Sequence, residues 1–161
     1  MTYEIRTATA ADLDPIAGFE IEIARISFED EAITDPALHR RRVGKALGQP
    51  GEVTLVAVDA AAPAVPLGWA WLTSRTNSLT GARYGNFRSL AVADVPDRAE
   101  IGELLLAAVL RAAAADGMTE LVGKVHARNL GMRTLYRKFG FEAVHLTMRL
   151  RAPAAAAPAD E

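Results

Sequence analysis

Apolar residues recur at spacings of three and four through Ile16, Phe19, Ile23 and Ile26, and this period predicts an amphipathic helix. Thr9, with Asp12 three residues on, supplies its N-terminal cap, and the pattern holds in spite of Pro15 in the first turn and Gly18. Ahead of it, Tyr3 to Thr7 is a short β-prone run. Asp35-Pro36 opens a second helix through Leu38, Val43 and Leu47, which stops near Gly48 and Pro50. Its other face carries His39, Arg40, Arg41, Arg42 and Lys45 and reads as a solvated face. β-Branched residues then take over. Val53 to Asp59 and Leu67 to Ser74 flank an Ala/Pro turn at Ala60 to Pro66 and form a hairpin, with Trp69 and Trp71 on one face as core or interface residues. After the polar loop Asn77 to Arg83, Tyr84 to Ala93 reads as a third antiparallel strand.

The period lengthens again at Ile101. Ile101 to Ala115 is an Ala/Leu helix closed by Asp116-Gly117, and Glu120 to His126 is a strand. Asn129 to Phe139 is a helix capped by Asn129 and ended by Gly140. Glu142 to Leu150 reads as a last strand, with Val144, Leu146, Met148 and Leu150 on one face and His145, Thr147 and Arg149 on the other. The order β-α-α-β-β-β-α-β-α-β predicts one α/β domain over residues 1–151, with an antiparallel N-terminal half and a strand-helix-strand crossover after it. Residues 152–161 are Ala/Pro-rich and are expected to be a disordered tail.

Composition narrows the chemistry more than the fold. The chain has no cysteine, which removes disulfides, thiolate nucleophiles and Cys-ligated metals. His39, His126 and His145 fall on different elements without ligand spacing, so no metal site is expected. The formal charge of −2 gives no drive toward nucleic acid, and the apolar runs are shorter than the roughly 20 residues of a membrane span. The N-terminus has no secretion pattern, so a cytoplasmic protein is expected. A helix beginning near Glu100 to Gly102, at the carboxyl end of a strand, offers unpaired N–H groups to an anion.

Ser89-Leu90-Ala91-Val92, then Ile101-Gly102-Glu103-Leu104-Leu105, then Asn129 and Leu135-Tyr136-Arg137-Lys138-Phe139-Gly140-Phe141 together resemble the GNAT family of acyl-CoA-dependent N-acetyltransferases. The resemblance spans most of the chain, and its most specific part joins Asn129, Tyr136 and the Gly140-Phe141 turn at the family's spacing. It implies a GNAT-like mixed sheet whose central strands splay, with acetyl-CoA as co-substrate and direct attack by a primary amine in a ternary complex. It further implies that the pantetheine arm enters between the Ser89 to Ala93 and Glu120 to His126 strands and pairs with backbone at Leu90 and Val92, beside Ala91. Arg98, Ile101, Gly102, Glu103 and Arg133 would surround the pyrophosphate, Asn129 would bind the arm, and Tyr136 would be the general acid toward the departing thiolate. The acceptor would be a small-molecule or peptide amine, with no nucleic acid or membrane partner, and the family permits a homodimer.

Two positions depart from the family's pattern. The pyrophosphate loop usually reads Arg or Gln, two residues, Gly, one residue, Gly or Ala, and here these three positions hold Asp97, Glu100 and Gly102. Asp94, Asp97, Glu100 and Glu103 against Arg98 give the segment a charge of −3. Where many members carry a glutamate near the general base, this chain has Arg88, which cannot accept a proton at neutral pH. The base is then another carboxylate, a water chain or solvent, with Glu20, Glu22, Glu29, Asp30 and Glu31 as the nearest candidates, undivided. Asn86 and Arg88 share a strand face, and Arg88 reads as a clamp for an acceptor carboxylate or as a structural ion-pair partner. Plain structural readings also exist for Tyr136 as a core aromatic, Asn129 as a cap and Gly102 as a packing residue. A GNAT-fold binding or regulatory module without catalysis, and a transferase using a different acyl-CoA, stand as the rival functions.

Overall fold

In the computed structural model, which describes residues 1–152, five strands form one mixed sheet in the order β1-β2-β3-β4-β5. The strands are β1 (Tyr3–Thr7), β2 (Glu52–Asp59), β3 (Ala62–Thr76), β4 (Arg83–Val92) and β5 (Leu121–Gly123). The first four pair antiparallel, with Tyr3 opposite Asp59, Val53 opposite Leu72 and Trp69 opposite Ala91. β5 alone is parallel to its neighbour β4. Helices α1 (Leu13–Phe28), α2 (Pro36–Ala46), α3 (Arg98–Ala115) and α4 (Leu130–Lys138) complete the fold.

β3 explains how one sheet carries two cores. Side chains alternate across a strand, so its apolar run Leu67 to Leu72 supplies both faces at once, as strands covered on both sides do. Ala70 and Leu72 face a core shared with Phe87, Leu90, Leu105 and Val109 under α3. Trp69 and Trp71 face the other core with Ile16, Phe19 and Val43 from α1 and α2. Both tryptophans are buried, which removes the interface reading of the hairpin. Where α3 crosses β3 the backbone must come close: a Cβ on Gly68 would lie 2.7 Å from Leu105 Cδ1.

At the start of α1 a buried polar knot replaces an ordinary cap. The Asp12 carboxylate accepts from Arg6 at 2.7 and 2.9 Å and from the Thr9 N–H at 2.8 Å. These bonds, the Arg6 bond foremost, hold the Asp12 carboxyl below the usual carboxylate range against the opposing effect of burial.

Four sequence expectations are corrected. α3 begins at Arg98 rather than Ile101, since Arg98 follows the Asp97 N-cap and the Ile101 N–H already bonds the Asp97 carbonyl at 3.0 Å. β5 spans three residues instead of Glu120 to His126. The register of β3 and β4 shifts between Trp71 and Leu72, leaving Arg88 as an extra residue, and such a bulge bends β4 away from β5. Residues 142–150 form no strand, because beyond Gly123 there is no paired edge for a segment of that length to join. Val144, Leu146, Met148 and Leu150 are accordingly exposed in spite of their alternation. Finally, the basic face of α2 is not uniformly solvated: His39 is buried and Arg42 is tied down. The Ala/Pro tail lies outside the described residues from position 153 onward. Among the described residues no helix is long and apolar enough to cross a membrane, and no group of three carboxylates or histidines is placed to hold a metal ion.

Candidate active site

The bulge at Arg88 creates the principal feature of the molecule. β4 and β5 pair from Gly85 opposite Leu121 to Phe87 opposite Gly123 and then part, while β4 continues to Val92 against β3 alone. The Ala93 N–H donates to the Leu67 carbonyl at 2.8 Å, so alternation turns the amides of Ser89 and Ala91 toward β3 and those of Leu90 and Val92 toward the opening. The sheet therefore has a fork whose inner edge is unpaired backbone, a place where an extended polar chain can bind as a further strand does.

Tyr136 stands at the apex of the fork. An added Cβ on Gly123 would be 3.4 Å from the Tyr136 hydroxyl and 3.2 Å from Phe87 Cβ. α4 places the ring there through local signals: Asn129 caps the helix by accepting from the Met132 N–H at 3.2 Å, and Gly140 at φ 85° ends it. The ring stacks on Phe141 at 4.8 Å and meets Phe87 edge-on at 6.0 Å. Burial pushes the phenol up to about 12, and no side-chain hydrogen bond contributes, so the hydroxyl is a protonated and uncommitted donor.

The N-terminus of α3 faces the outer end of the same opening. Arg98 and Ile101 spend their N–H groups on the Val95 and Asp97 carbonyls, which leaves the amides of Ala99 and Glu100 without backbone acceptors. Gly102 lies in the next turn, where a Cβ would stand at ordinary contact distances of 3.5 Å from Leu135 and 3.7 Å from Val92. The side chain of Ile101 is fully buried. Two of the four acids of this segment, Asp97 and Glu103, have partners. Asp97 accepts from the Tyr3 hydroxyl at 2.6 Å, a bond that pushes the Tyr3 phenol up to about 12, and Glu103 pairs with Lys138 of α4. Arg98 is exposed, and Arg133 donates to the Ala127 carbonyl at 3.0 Å.

On the α1 and α2 side the fork opens into a cavity of about 590 Å³ that contains Asn86, Arg88, Ser89 and Lys124 on its sheet wall. The Arg88 guanidinium lies 3.9 Å from the centroid of the Trp71 ring, and Arg42 reaches the same ring at 5.7 Å. Partial burial first, and Arg42 next, lower the Arg88 pKa, yet a guanidinium remains charged. Glu20 is almost wholly buried, with one oxygen accepting from Trp69 Nε1 at 2.7 Å and the other from Arg42 at 2.8 Å. Glu31, on the rim, pairs with Arg151 at 3.2 Å. Glu22 and Asp30 do not line the cavity, and Glu29 pairs with Arg128. His39 Nε2 donates to the Ile33 carbonyl at 2.9 Å, and Nδ1 is buried and without a partner among the described residues.

The structure thus brings Leu90, Val92, Gly102 and Tyr136 around one opening, places Asn129 at the cap of the helix that carries Tyr136, and brings Asn86 and Arg88 into the cavity at its mouth. Sequence reasoning missed Arg42, His39 and Lys124 as cavity residues and Tyr3 as the partner of Asp97. None of them carries a local signal, because each reaches its place through contacts between distant elements.

A family model described as the acetyltransferase (GNAT) family matches residues 21–141. No curated protein matches the sequence. Among solved structures, a probable acetyltransferase shares 18% identity at a TM-score of 0.72, covering 98% of this chain and 100% of its own. An aminoglycoside acetyltransferase from an uncultured soil metagenomic sample shares 16% at 0.68, covering 95% and 100%. A ribosomal-protein-alanine N-acetyltransferase from Brucella melitensis biovar Abortus 2308 shares 15% at 0.69, covering 94% and 100%. At these identities the likeness is one of fold.

Proposed function

Since the chain belongs to the acetyltransferase (GNAT) family, we propose that it transfers an acetyl group from acetyl-CoA to the primary amine of an acceptor held in the cavity at the fork. The observation that carries this reading is the fork itself, with unpaired Leu90 and Val92 backbone on its edge and an uncommitted phenol at its apex.

The residues fit the co-substrate. Leu90 and Val92 offer strand-like hydrogen bonds to the pantetheine amides, and the free amides of Ala99 and Glu100 offer donors to the pyrophosphate. The diversion of Asp97 to Tyr3 and of Glu103 to Lys138 relieves part of the repulsion that the segment's charge would exert on a polyanion. Acetyl-CoA supplies the activated acyl group as a thioester. A backbone N–H on the β4 edge polarises the acyl carbonyl as the amine forms its C–N bond and the C–S bond breaks.

Tyr136 donates a hydrogen bond to the leaving sulfur. An ordinary thiol near 8.5 lies well below a phenol at about 12, so complete proton transfer is uphill by about 5 kcal/mol and the phenol stabilises the thiolate without surrendering its proton. For the ammonium proton we assign Glu31, acting through water, because the two oxygens of Glu20 are occupied while Glu31 sits on the rim in an exposed pair. Arg133, whose side chain donates to the Ala127 carbonyl, adds a positive charge on the helix that Asn129 caps, whereas Arg128 is paired with Glu29.

The test is release of CoA thiol from acetyl-CoA in the presence of a panel of amines. The chain has no cysteine, so a thiol reagent reads CoA alone. Amine-dependent release with an acetylated product of the expected mass supports the reading. Saturable acetyl-CoA binding with no release on any amine overturns it in favour of a binding module.

A further inference from the structure

The charges of the cavity are unequally committed, and this asymmetry identifies the acceptor's class. We propose that the acceptor is a small amine bearing a carboxylate next to an apolar side chain, an amino-acid-like molecule, and that Arg88 is the residue that holds the carboxylate. The inference rests on the transferase reading and adds the substrate class to it.

Each ionic group around the cavity can be accounted for. Glu20 neutralises Arg42, and Glu31 is paired with Arg151. Arg88 and Lys124 make no ion pair among the described residues, and Glu52 and Glu20 act on Arg88 only from beyond ion-pair distance, so these two cations are left over once the pairs are drawn. Arg88 is also fixed in place. The Arg88 guanidinium carbon lies 3.9 Å over the centroid of the Trp71 ring, and Trp71 is itself buried and donates from Nε1 to Glu52 at 2.7 Å. A guanidinium resting on an aromatic ring can still present its N–H groups to a carboxylate through two parallel hydrogen bonds. A structural ion-pair role requires a partner that the described chain does not provide.

Among the uncharged residues of the wall, Ser27, His39, Asn86 and Ser89 are polar and the others are apolar. Ile23, Phe28, Ile33 and Phe87 line the cavity, and Phe28 and Ile33 are 59% and 53% exposed, far more than core residues of their kind. An apolar substituent on the acceptor would cover them. A volume of about 590 Å³ is that of a small-molecule site. Polycationic amines are disfavoured by the same excess charge, because Arg88 and Lys124 repel them and Glu20 has no oxygen to spare.

The experiment titrates the protein with L-leucine, L-leucinamide and an aminoglycoside, with and without CoA, and follows tryptophan fluorescence, to which Trp71 beneath Arg88 contributes. The expected result is saturation by leucine, at least about tenfold weaker binding by leucinamide, and no saturation by the aminoglycoside. Arg88→Gln is expected to weaken leucine binding about tenfold or more, with Arg88→Lys recovering part of the loss. Equal binding of leucine and leucinamide, unchanged binding in Arg88→Gln, or no saturation by leucine at millimolar concentration would overturn the proposal. Calorimetry with acetyl-CoA on the same preparation separates the two ideas. Acetyl-CoA binding without a leucine response sinks the acceptor class alone, and a leucine response without acetyl-CoA binding sinks the transferase reading alone.

Discussion

Replacing Tyr136 with phenylalanine separates the chemistry of the fork from its packing. The ring contacts with Phe141 at 4.8 Å and Phe87 at 6.0 Å are kept, and the lost hydroxyl has no side-chain hydrogen bond to leave unsatisfied. The stability change is therefore expected to stay within about 0.5 kcal/mol. The catalytic change is larger. A hydrogen bond to a charged group contributes about 1.5–3 kcal/mol, which is a loss of roughly ten- to hundredfold in rate. On the proposed reading Tyr136 acts on a sulfur that is charged only as the C–S bond lengthens, so the loss is expected in kcat and not in the KM for acetyl-CoA. With its phenol at about 12, the wild-type enzyme should also show no fall in kcat from this group until the pH is well above 10.0, the ordinary tyrosine value. Thiol release measured over a pH series, beside urea unfolding of both proteins, reads all three quantities. A variant with kcat within twofold of wild type, or one that is destabilised by several kcal/mol, would refute the assignment.

Other consequences follow from single contacts. Glu20→Ala leaves the buried Trp69 N–H without an acceptor and frees Arg42, so a loss of about 2–4 kcal/mol is expected in urea unfolding, whereas a loss under 1 kcal/mol would mean that the cage is unimportant. Gly102→Ala meets only ordinary contacts and removes a helix glycine, so stability should rise by about 0.5–1 kcal/mol with CoA affinity unchanged, as scanning calorimetry and titration would show. Asp12 is held below its unfolded value of about 3.9 by Arg6, so its contribution is complete above that pH and is lost as the pH falls through the lower folded value. Asp12→Asn should flatten acid unfolding in that window while lowering stability at neutral pH, and an unchanged acid limb would contradict this account.

How much of this was legible in the sequence depended on the range of the interaction. α4 with its cap, its tyrosine and its terminating glycine could be placed within a residue or so, because Asn129, Tyr136 and Gly140 act through neighbouring backbone. The three antiparallel strands were legible for the same reason, since a hairpin is a local object. The bulge at Arg88 was not, because it is a mismatch between two strands and leaves no mark on either one. With it went the true length of β5, while the opening itself was legible only through the family resemblance, which implied that the central strands splay. Glu20 appeared only as one of five acids. Its commitment comes from Arg42, 22 residues away, and Trp69, 49 residues away, and helix periodicity says nothing about either. The alternation of residues 142–150 misled in the opposite direction: the pattern suits a strand, but pairing needs an edge, and β5 ends at Gly123.

On the proposed reading, the fork and the N-terminus of α3 hold an acyl-CoA despite the acids at positions 94–103. Calorimetric titration of the full chain with acetyl-CoA, at low and at physiological salt and with CoA and ADP as controls, tests it most directly. Micromolar binding shared by acetyl-CoA and CoA, weaker for ADP and weaker at higher salt, is the predicted result. Absence of binding at millimolar acetyl-CoA in either buffer would contradict it and leave the fold as a module for some other partner.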